Sequence, residues 1–394
     1  MRNPLRLQTS LVHITVGLST FSFATSLVGV FIPLVILRGG GRLWEVPAFY
    51  LIYACSKLLM NYPAVLLLQR RGVQLGLSIA FVAGALQMLS ILGFATLHNI
   101  LPLIAGAVAL ALTNAYLWNA QHLYISSTMQ ENTKSSNIAA IAIIGQVSSV
   151  VAPLLGGLIG SIFGPIPLLA LAVVLCASAI IPLRHIQSVE KQGLPIRYNF
   201  QGAPRRDILA NFFFNIEASV GVMVWPIYLA VFIATYKSIG AITAIAAGVT
   251  VLITWMAGRR GDKGRDRAVL REGVAASSVI DVVRILVTSG LGITIISSAW
   301  KASFAYLQNA WTSTYYHHAK QRGLQYIMSM EIACDLAYVT LWGILLVVLL
   351  ATDSTRTFFV AAFFIAAVSA WGCLLITKQK AIESSPTQAQ DLTR

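Results

Sequence analysis

Residues Ala115–Ala120 read Ala-Tyr-Leu-Trp-Asn-Ala, and residues Ala305–Ala310 read Ala-Tyr-Leu-Gln-Asn-Ala. Two further pairs of short segments recur in the same order at a similar offset: Phe31–Leu34 (FIPL) with Val224–Ile227 (VWPI), and Gln69–Gly72 (QRRG) with Gly261–Gly264 (GDKG). Each match alone is weak, since apolar segments resemble one another by chance. Three matches in one order predict that the chain consists of two repeated halves.

Apolar runs surround these motifs. Of the 394 residues, 57% are hydrophobic and 11% are charged, whereas soluble domains carry about 25% charged residues. A helix crosses the hydrocarbon core of a bilayer with about 20 apolar residues. We therefore predict an all-α membrane protein with about twelve spanning helices: Ser10–Leu37, Pro47–Leu68, Gln74–Thr96, Ile100–Ser126, Ser136–Phe163, Ile166–Ile181, Ile208–Ile233, Ile239–Ala257, Val269–Thr288, Leu291–Thr314, Leu324–Ala351 and Phe358–Thr377.

A polar stretch divides these helices into two groups of six. The predicted units are an N-terminal bundle (1–183), a cytoplasmic linker (184–207), a C-terminal bundle (208–377) and a disordered cytoplasmic tail (378–394). Because six is an even number, the two pseudo-symmetric bundles have the same orientation in the membrane. In transporters built from such parallel repeats, the binding site lies between the halves near the midplane.

The net charge of +14 comes from basic residues in short loops between apolar runs. This placement follows the positive-inside rule and does not suggest nucleic-acid binding. Lys and Arg concentrate on one side, and the other side holds only Arg38, Arg42, Lys237 and Arg356. We expect a multi-pass protein of a bacterial inner (plasma) membrane with both termini in the cytoplasm.

Metal, disulfide and nucleotide motifs are not found in the sequence. The cysteines lie inside apolar runs without CxxC spacing: Cys55, Cys176, Cys334 and Cys373. No GxxxxGK[ST] segment is present, which argues against ATP-driven transport by this chain. The adjacent His317 and His318 have no acidic or Cys ligands at metal spacing, so we expect them at an interface. We predict no cofactor and no metal site.

With this architecture the chain resembles the major facilitator superfamily. The segment Gly258–Arg267 (GRRGDKGRDR) looks like the family's cytoplasmic loop motif, although the spacing from Asp to the second Gly is one residue short. The resemblance implies a gating loop that latches the two halves, formed by Gly258, Asp262, Lys263, Gly264 and Arg265. In the first half, Gln69 stands where the Asp is expected. The alternative is a basic, solvated turn.

A second motif lies in the fifth predicted helix. Ala152–Gly157 followed by Gly160 resembles the end of a motif of the family's antiporters, but most of its upstream glycines are absent. We favour a packing role for Pro153, Gly156, Gly157 and Gly160, because small residues four apart let helices approach closely.

Ionisable residues within the spans are costly and usually functional. Glu217, Glu331 and Asp335 are the candidates for proton coupling. Glu331, Asp335 and Tyr338 share one helix face by their spacing. We expect Lys301 to neutralise either Glu331 or Asp335. Asp281 and Arg284 are three residues apart, which favours an ion pair within one helix.

The family resemblance implies that the seventh helix lines the central cavity, so we expect Glu217 to face it. Polar and aromatic residues at mid-span suggest a cavity for a polar organic solute. The candidates are Lys57, Asn61, Tyr116, Asn119, Lys301, Gln308, Asn309, Thr312 and Tyr338.

The sequence as a whole favours a secondary transporter. It moves a small-molecule solute by alternating access and is coupled to protons; we expect a monomer surrounded by the lipid bilayer. One alternative is a flippase for a lipid or lipid-linked substrate. Alternatives of another class are a membrane-embedded enzyme and a non-transporting receptor. We do not expect an enzyme, since no catalytic carboxylates or histidines cluster at a membrane face.

Overall fold

The computed structural model describes residues 4–130, 135–184, 198–261 and 266–377. Every regular element in these ranges is helical. The first half contains eight α-helices: α1 (Pro4–Gly29), α2 (Ile32–Arg38), α3 (Glu45–Arg71), α4 (Val73–Leu97), α5 (Ile100–Gln130), α6 (Ser135–Ile162), α7 (Pro165–Ser178) and α8 (Ile180–Leu183). The second half contains seven: α9 (Arg205–Ser219), α10 (Trp225–Phe232), α11 (Tyr236–Gly261), α12 (Asp266–Arg284), α13 (Gly290–Arg322), α14 (Leu324–Thr352) and α15 (Thr355–Gly372).

Each predicted span coincides with one α-helix or with a helix that is interrupted. Within the described ranges, nine helices are long and apolar enough to cross a membrane. The remaining predicted spans correspond to α6, α12 and α13. Helix α13 extends to Arg322, beyond the predicted end at Thr314, because hydropathy detects the apolar part of a helix and not its polar extension. The chain is a multi-pass membrane protein.

The first helix of each half is interrupted at an equivalent proline. Helix α1 ends at Gly29, and α2 starts with Pro33 in its first turn. Helix α9 ends at Ser219 and passes through a π-helical segment, Val220–Val224, to α10, which has Pro226 in its first turn. Proline has no N–H group to donate to the preceding turn. The matched FIPL and VWPI segments therefore mark matched irregularities in the two halves.

The halves meet along two long seams. Helix α3 packs on α14, and α6 packs on α11, while α2 touches α10 at one end of the bundle. In the second half, Asn309 of α13 donates to the carbonyl of Thr254 in α11 at 3.3 Å. In the first half, Asn119 of α5 donates to Asn61 of α3 at 3.0 Å. The asparagines of the repeated hexapeptide thus bind corresponding neighbours.

The small residues of α6 lie in the second seam. A Cβ atom on Gly156 would overlap the carbonyl oxygen of Leu27 in α1. A Cβ on Gly157 would lie 2.7 Å from the carbonyl oxygen of Tyr236, and one on Gly160 would lie 2.7 Å from the Tyr236 ring. Pro153 of the same helix faces Gly240 of α11 through its carbonyl oxygen. This geometry is close helix packing, within the first half at Gly156 and between the halves at Gly157 and Gly160.

Candidate functional site

A cavity of about 530 Å³ lies between the halves. The first half contributes residues of α1 to α6, and the second contributes the bent helix from Gly221 to Leu229, α11 and α13. Most of the wall is apolar. The polar side chains on it are Ser22, Thr25, Ser26, Gln87, Thr113, Asn114, Gln121, Ser149, Thr243, Ser297 and Lys301. The volume and the few polar groups are typical of a small-molecule site.

Of the nine residues predicted to line this cavity, only Lys301 does so. Tyr116 packs against an apolar cluster of the first half that includes Leu77 and Leu183. The side chains of Gln308 and Thr312 are exposed and are not part of the cavity wall. The prediction was wrong for these residues because helical spacing shows which residues share a face but not where that face points.

Three of the other predicted cavity residues, Lys57, Asn61 and Asn119, take part in a charged group at the α3–α14 seam. The Lys57 ammonium pairs with Asp335 and lies 3.4 Å from Glu331 Oε2. The Asn61 amide donates to Asp335. His122 Nε2 lies 3.4 Å from Glu331 Oε1. We name this group the seam cluster: Lys57, Asn61, Asn119, His122, Glu331 and Asp335.

Tyr338 lies beside the seam cluster, with its ring centroid 5.8 Å from the Lys57 nitrogen. The predicted shared face of Glu331, Asp335 and Tyr338 is therefore confirmed. The predicted role of Lys301 as their counter-ion is wrong, since Lys57 occupies that position. The reason is topological: α3 is the neighbour of α14 along the seam, and no spacing within a single helix reveals that neighbour.

The seam cluster holds one surplus negative charge when His122 is neutral, because Lys57 faces two carboxylates. Lys57 and Asp335 are 2% and 0% exposed, respectively. An uncompensated charge is costly in such surroundings. The cluster therefore has a place for one proton, on His122 or on one of the two carboxyl groups.

A second charged group, Glu217, Asp281 and Arg284, lies inside the second half; we name it the wall cluster. Arg284 pairs with Asp281 at 2.8 Å, which confirms the predicted ion pair within α12. The Arg284 guanidinium lies 4.4 Å and 4.7 Å from the rings of Trp225 and Trp300, both of which line the cavity. These two indoles separate the wall cluster from the cavity.

The expectation that Glu217 faces the cavity is therefore wrong. Its carboxylate is fully buried and accepts a hydrogen bond from the Trp300 indole at 3.1 Å. Gly221, one turn further on, packs against the same indole. The face of the helix that carries Glu217 is thus covered by α13, which hydropathy alone could not show.

The described end of the linker crosses the α3–α14 seam. The Tyr198 hydroxyl donates to the carbonyl of Leu58 in α3 at 3.0 Å, and Ser329 of α14 donates to the carbonyl of Asn199 at 2.9 Å. Burial and the nearby Asp335 carboxylate raise the pKa of Tyr198 to about 12. The hydroxyl therefore remains a donor at physiological pH.

The structure describes only part of the predicted gating loop. Gly258 lies in the last turns of α11. Asp262, Lys263, Gly264 and Arg265 lie outside the described residues, so their role stays a prediction.

Solved structures share this arrangement over nearly the whole chain. A point mutant of the nucleoside transporter NupG aligns with a TM-score of 0.70 at 12% identity, over 95% of this chain and 100% of that one. The chain has the major facilitator fold. A bacterial homologue of the iron transporter ferroportin in its inward-facing state gives a TM-score of 0.67 at 14% identity, over 96% and 100% of the two chains.

A third structure, of a bacterial metal transporter, gives a TM-score of 0.64 at 13% identity, over 94% of this chain and 99% of that one. A scan of protein-family models finds no match, and a sequence search of curated proteins finds none either. The major facilitator fold accounts for the two seams and the cavity between them. These solved structures are transporters of different solutes, so the fold leaves the solute open.

Several cavity residues were not among the sequence candidates. Gln87 was detectable as the lone amide in the middle of the apolar helix α4. Trp118 is the variable position of the repeated hexapeptide. The sequence did not identify Trp225 and Trp300 as cavity residues, since aromatic residues are common throughout apolar helices.

Proposed function

We propose that the protein is a secondary transporter that moves a small solute by alternating access and couples this movement to protons. The fold and the cavity between its halves support transport. The seam cluster supports coupling, and it is the observation that carries the proposal. It places an ion pair between the halves, within the membrane-spanning part of the molecule.

The coupling follows from the charges. When the halves rock, the contacts of α3 with α14 change, and Lys57 loses part of its pairing with Glu331 and Asp335. Separating buried opposite charges is costly. A proton on Glu331 or Asp335 weakens this ion pair and lowers that cost, so protonation and rocking are linked. Glu217 has a different role here: it positions Trp300 in the cavity wall.

We also propose that the protein lies in a bacterial-type plasma membrane with both termini in the cytoplasm. We further propose that the two bundles end and begin at residues 183 and 208, and that the protein acts as a monomer. The basic loops on one side support this orientation. In a Cys55→Ser background, an impermeant maleimide added outside should then label Arg42→Cys and leave Gln192→Cys unlabelled. The reverse pattern contradicts the orientation.

Uptake into proteoliposomes tests coupling. A panel of labelled solutes is offered with and without an imposed pH gradient. We expect the gradient to drive accumulation of at least one solute in the wild type. Glu331→Gln should abolish accumulation against a gradient but retain exchange of that solute, since exchange needs no net proton movement.

Asp353→Asn is the matched control, because Asp353 is exposed at the end of α14 and distant from the seam cluster. Normal uphill uptake by Glu331→Gln contradicts the coupling proposal. Translocation of a fluorescent lipid without solute uptake contradicts solute transport and favours a flippase.

A further inference from the structure

Lys301 differs from the other buried cations of the membrane-spanning part. Lys57 pairs with Asp335 and Glu331, and Arg284 pairs with Asp281. Lys301 lines the cavity, and among the described residues no carboxylate lies within ion-pair distance of it. Its observed neighbour is the Trp300 ring, whose centroid is 5.6 Å from the ammonium nitrogen. The cavity wall therefore carries one positive charge without a counter-ion from the described chain.

Gln87 is a second polar group without a partner. It lies on the opposite half, in α4, is 2% exposed and lines the cavity. Within the described part of the chain its amide makes no hydrogen bond. Buried polar groups in proteins are nearly always satisfied. An amide and an ammonium that both face one cavity without partners indicate a polar ligand between them.

Trp118 supplies a flat surface in the same cavity. Its side chain is 47% exposed and lines the cavity. The indole nitrogen donates to Asn114 Oδ1 at 3.1 Å, which fixes the orientation of the ring. Trp225 and Trp300 each contact Arg284 and also stack on a neighbouring aromatic ring. The Trp118 ring has His122 nearby, with the centroids 6.3 Å apart, but no stacked partner among the described residues, so it has room for an aromatic partner. Offset stacking of aromatic rings contributes beyond area burial.

We infer that the cavity binds an organic monoanion that carries an aromatic ring. Its anionic group pairs with Lys301, its ring packs on Trp118, and a polar ring atom binds the amide of Gln87. The wall contains no described carboxylate, so a cationic solute has no counter-charge there. This ligand touches both halves, as a transported solute must; its role as the transported solute rests on the function proposed above.

Binding to the purified full-length protein in detergent tests this inference without any need for transport. The probes are indole-3-acetate, its neutral counterpart indole-3-acetamide and the cation tryptamine, with benzoate as a smaller anion. Isothermal titration calorimetry reports binding of all four probes. We expect the two anions to bind, and indole-3-acetate to bind more tightly than the amide or the cation.

Lys301→Gln should lower the affinity for indole-3-acetate about tenfold or more, because one partner of a desolvated charge pair is lost. It should leave the affinity for indole-3-acetamide unchanged. Trp118→Ala should weaken binding of both. The control is Lys237→Gln, since Lys237 is exposed at the start of α11. If Lys301→Gln fails to fold, the wild type still tests the inference, because it should bind indole-3-acetate more tightly than indole-3-acetamide.

Equal affinities for the acid and the amide overturn the inference, as do preferred binding of tryptamine and an unchanged affinity in folded Lys301→Gln. Lack of binding by both anions also overturns it. Anion binding without proton-driven uptake supports the site and contradicts the proposed function. Proton-driven uptake of a neutral or cationic solute, without anion binding, supports the function and contradicts the site.

Discussion

Lys57 and Asp335 show how charge is accommodated inside this molecule. Both are buried, and they come from opposite halves. Removal of one member of such a pair leaves the other uncompensated, which costs more than the pair itself contributes. Asn61 and Asn119 extend the pair into a hydrogen-bonded chain. The pair therefore joins α3 and α14 across the seam.

Lys57→Met should destabilise the protein by about 3–5 kcal/mol, because two carboxylates then lack a cation. Folding of this variant requires uptake of a proton that the unfolded chain does not bind at neutral pH, so its stability should fall as pH rises. The double variant Lys57→Met/Asp335→Asn should recover much of the loss. Thermal unfolding in detergent across pH measures both effects; additive losses in the double variant contradict the pairing.

The positions of the buried charges could be predicted from the sequence, but their partners could not. Glu331, Asp335 and Lys57 stand out as charges within apolar runs, and Asp281 and Arg284 lie on one helix at ion-pair spacing. Partners on different helices depend on which helices are neighbours. That is why Lys301 was assigned to Glu331 or Asp335, and Glu217 to the cavity.

Helix α6 shows how small residues determine the packing of a single helix. Its glycines bring the backbone of α6 against the backbones of α1 and α11, so the seam tolerates no side chain at these points. The periodicity of small residues predicted close packing. It could not predict that the partners are one helix of each half, α1 and α11.

Gly156→Ala should destabilise the protein by about 1–3 kcal/mol, because the added methyl group meets the backbone of Leu27 and the helices must separate. Gly343→Ala in α14 is the control, since a Cβ there meets nothing within 4 Å. The control should be neutral or slightly stabilising, by up to about 1 kcal/mol. Equal melting temperatures of the two variants contradict this account of the α1–α6 contact.

At the scale of the whole molecule, the bundle is closed where α2 meets α10. Arg38 donates to the carbonyl of Ala234, and its guanidinium lies 5.3 Å from the centroid of the Tyr236 ring. Phe31 and Tyr236 are also in ring contact, with their centroids 5.5 Å apart. The all-helical, multi-pass architecture and this type of fold were predictable from sequence, because they follow from apolar run length and repeated motifs. The sequence does not predict at which end the two halves are closed, because the same apolar runs are buried whichever end is open.

Rocking of the two halves predicts which conformation gains population when the pH falls. We expect that when the α2–α10 end opens, the opposite end closes and the seam cluster holds it closed. Protonation of Glu331 or Asp335 weakens that cluster, so acidic pH should favour the conformation in which the α2–α10 end is closed. In Glu331→Gln, one carboxylate is permanently neutral, so this conformation should dominate at every pH.

The most direct test is a distance measurement across the α2–α10 end. Spin labels are placed at Arg42→Cys and Ser238→Cys in a Cys55→Ser background, because the other three cysteines are buried. Pulsed electron paramagnetic resonance in lipid bilayers should show a short and a long distance, with the short one gaining population on acidification. Glu331→Gln should show the short distance at both acidic and alkaline pH. A single distance that ignores pH, or a full pH response in Glu331→Gln, would contradict proton-coupled alternating access through the seam cluster.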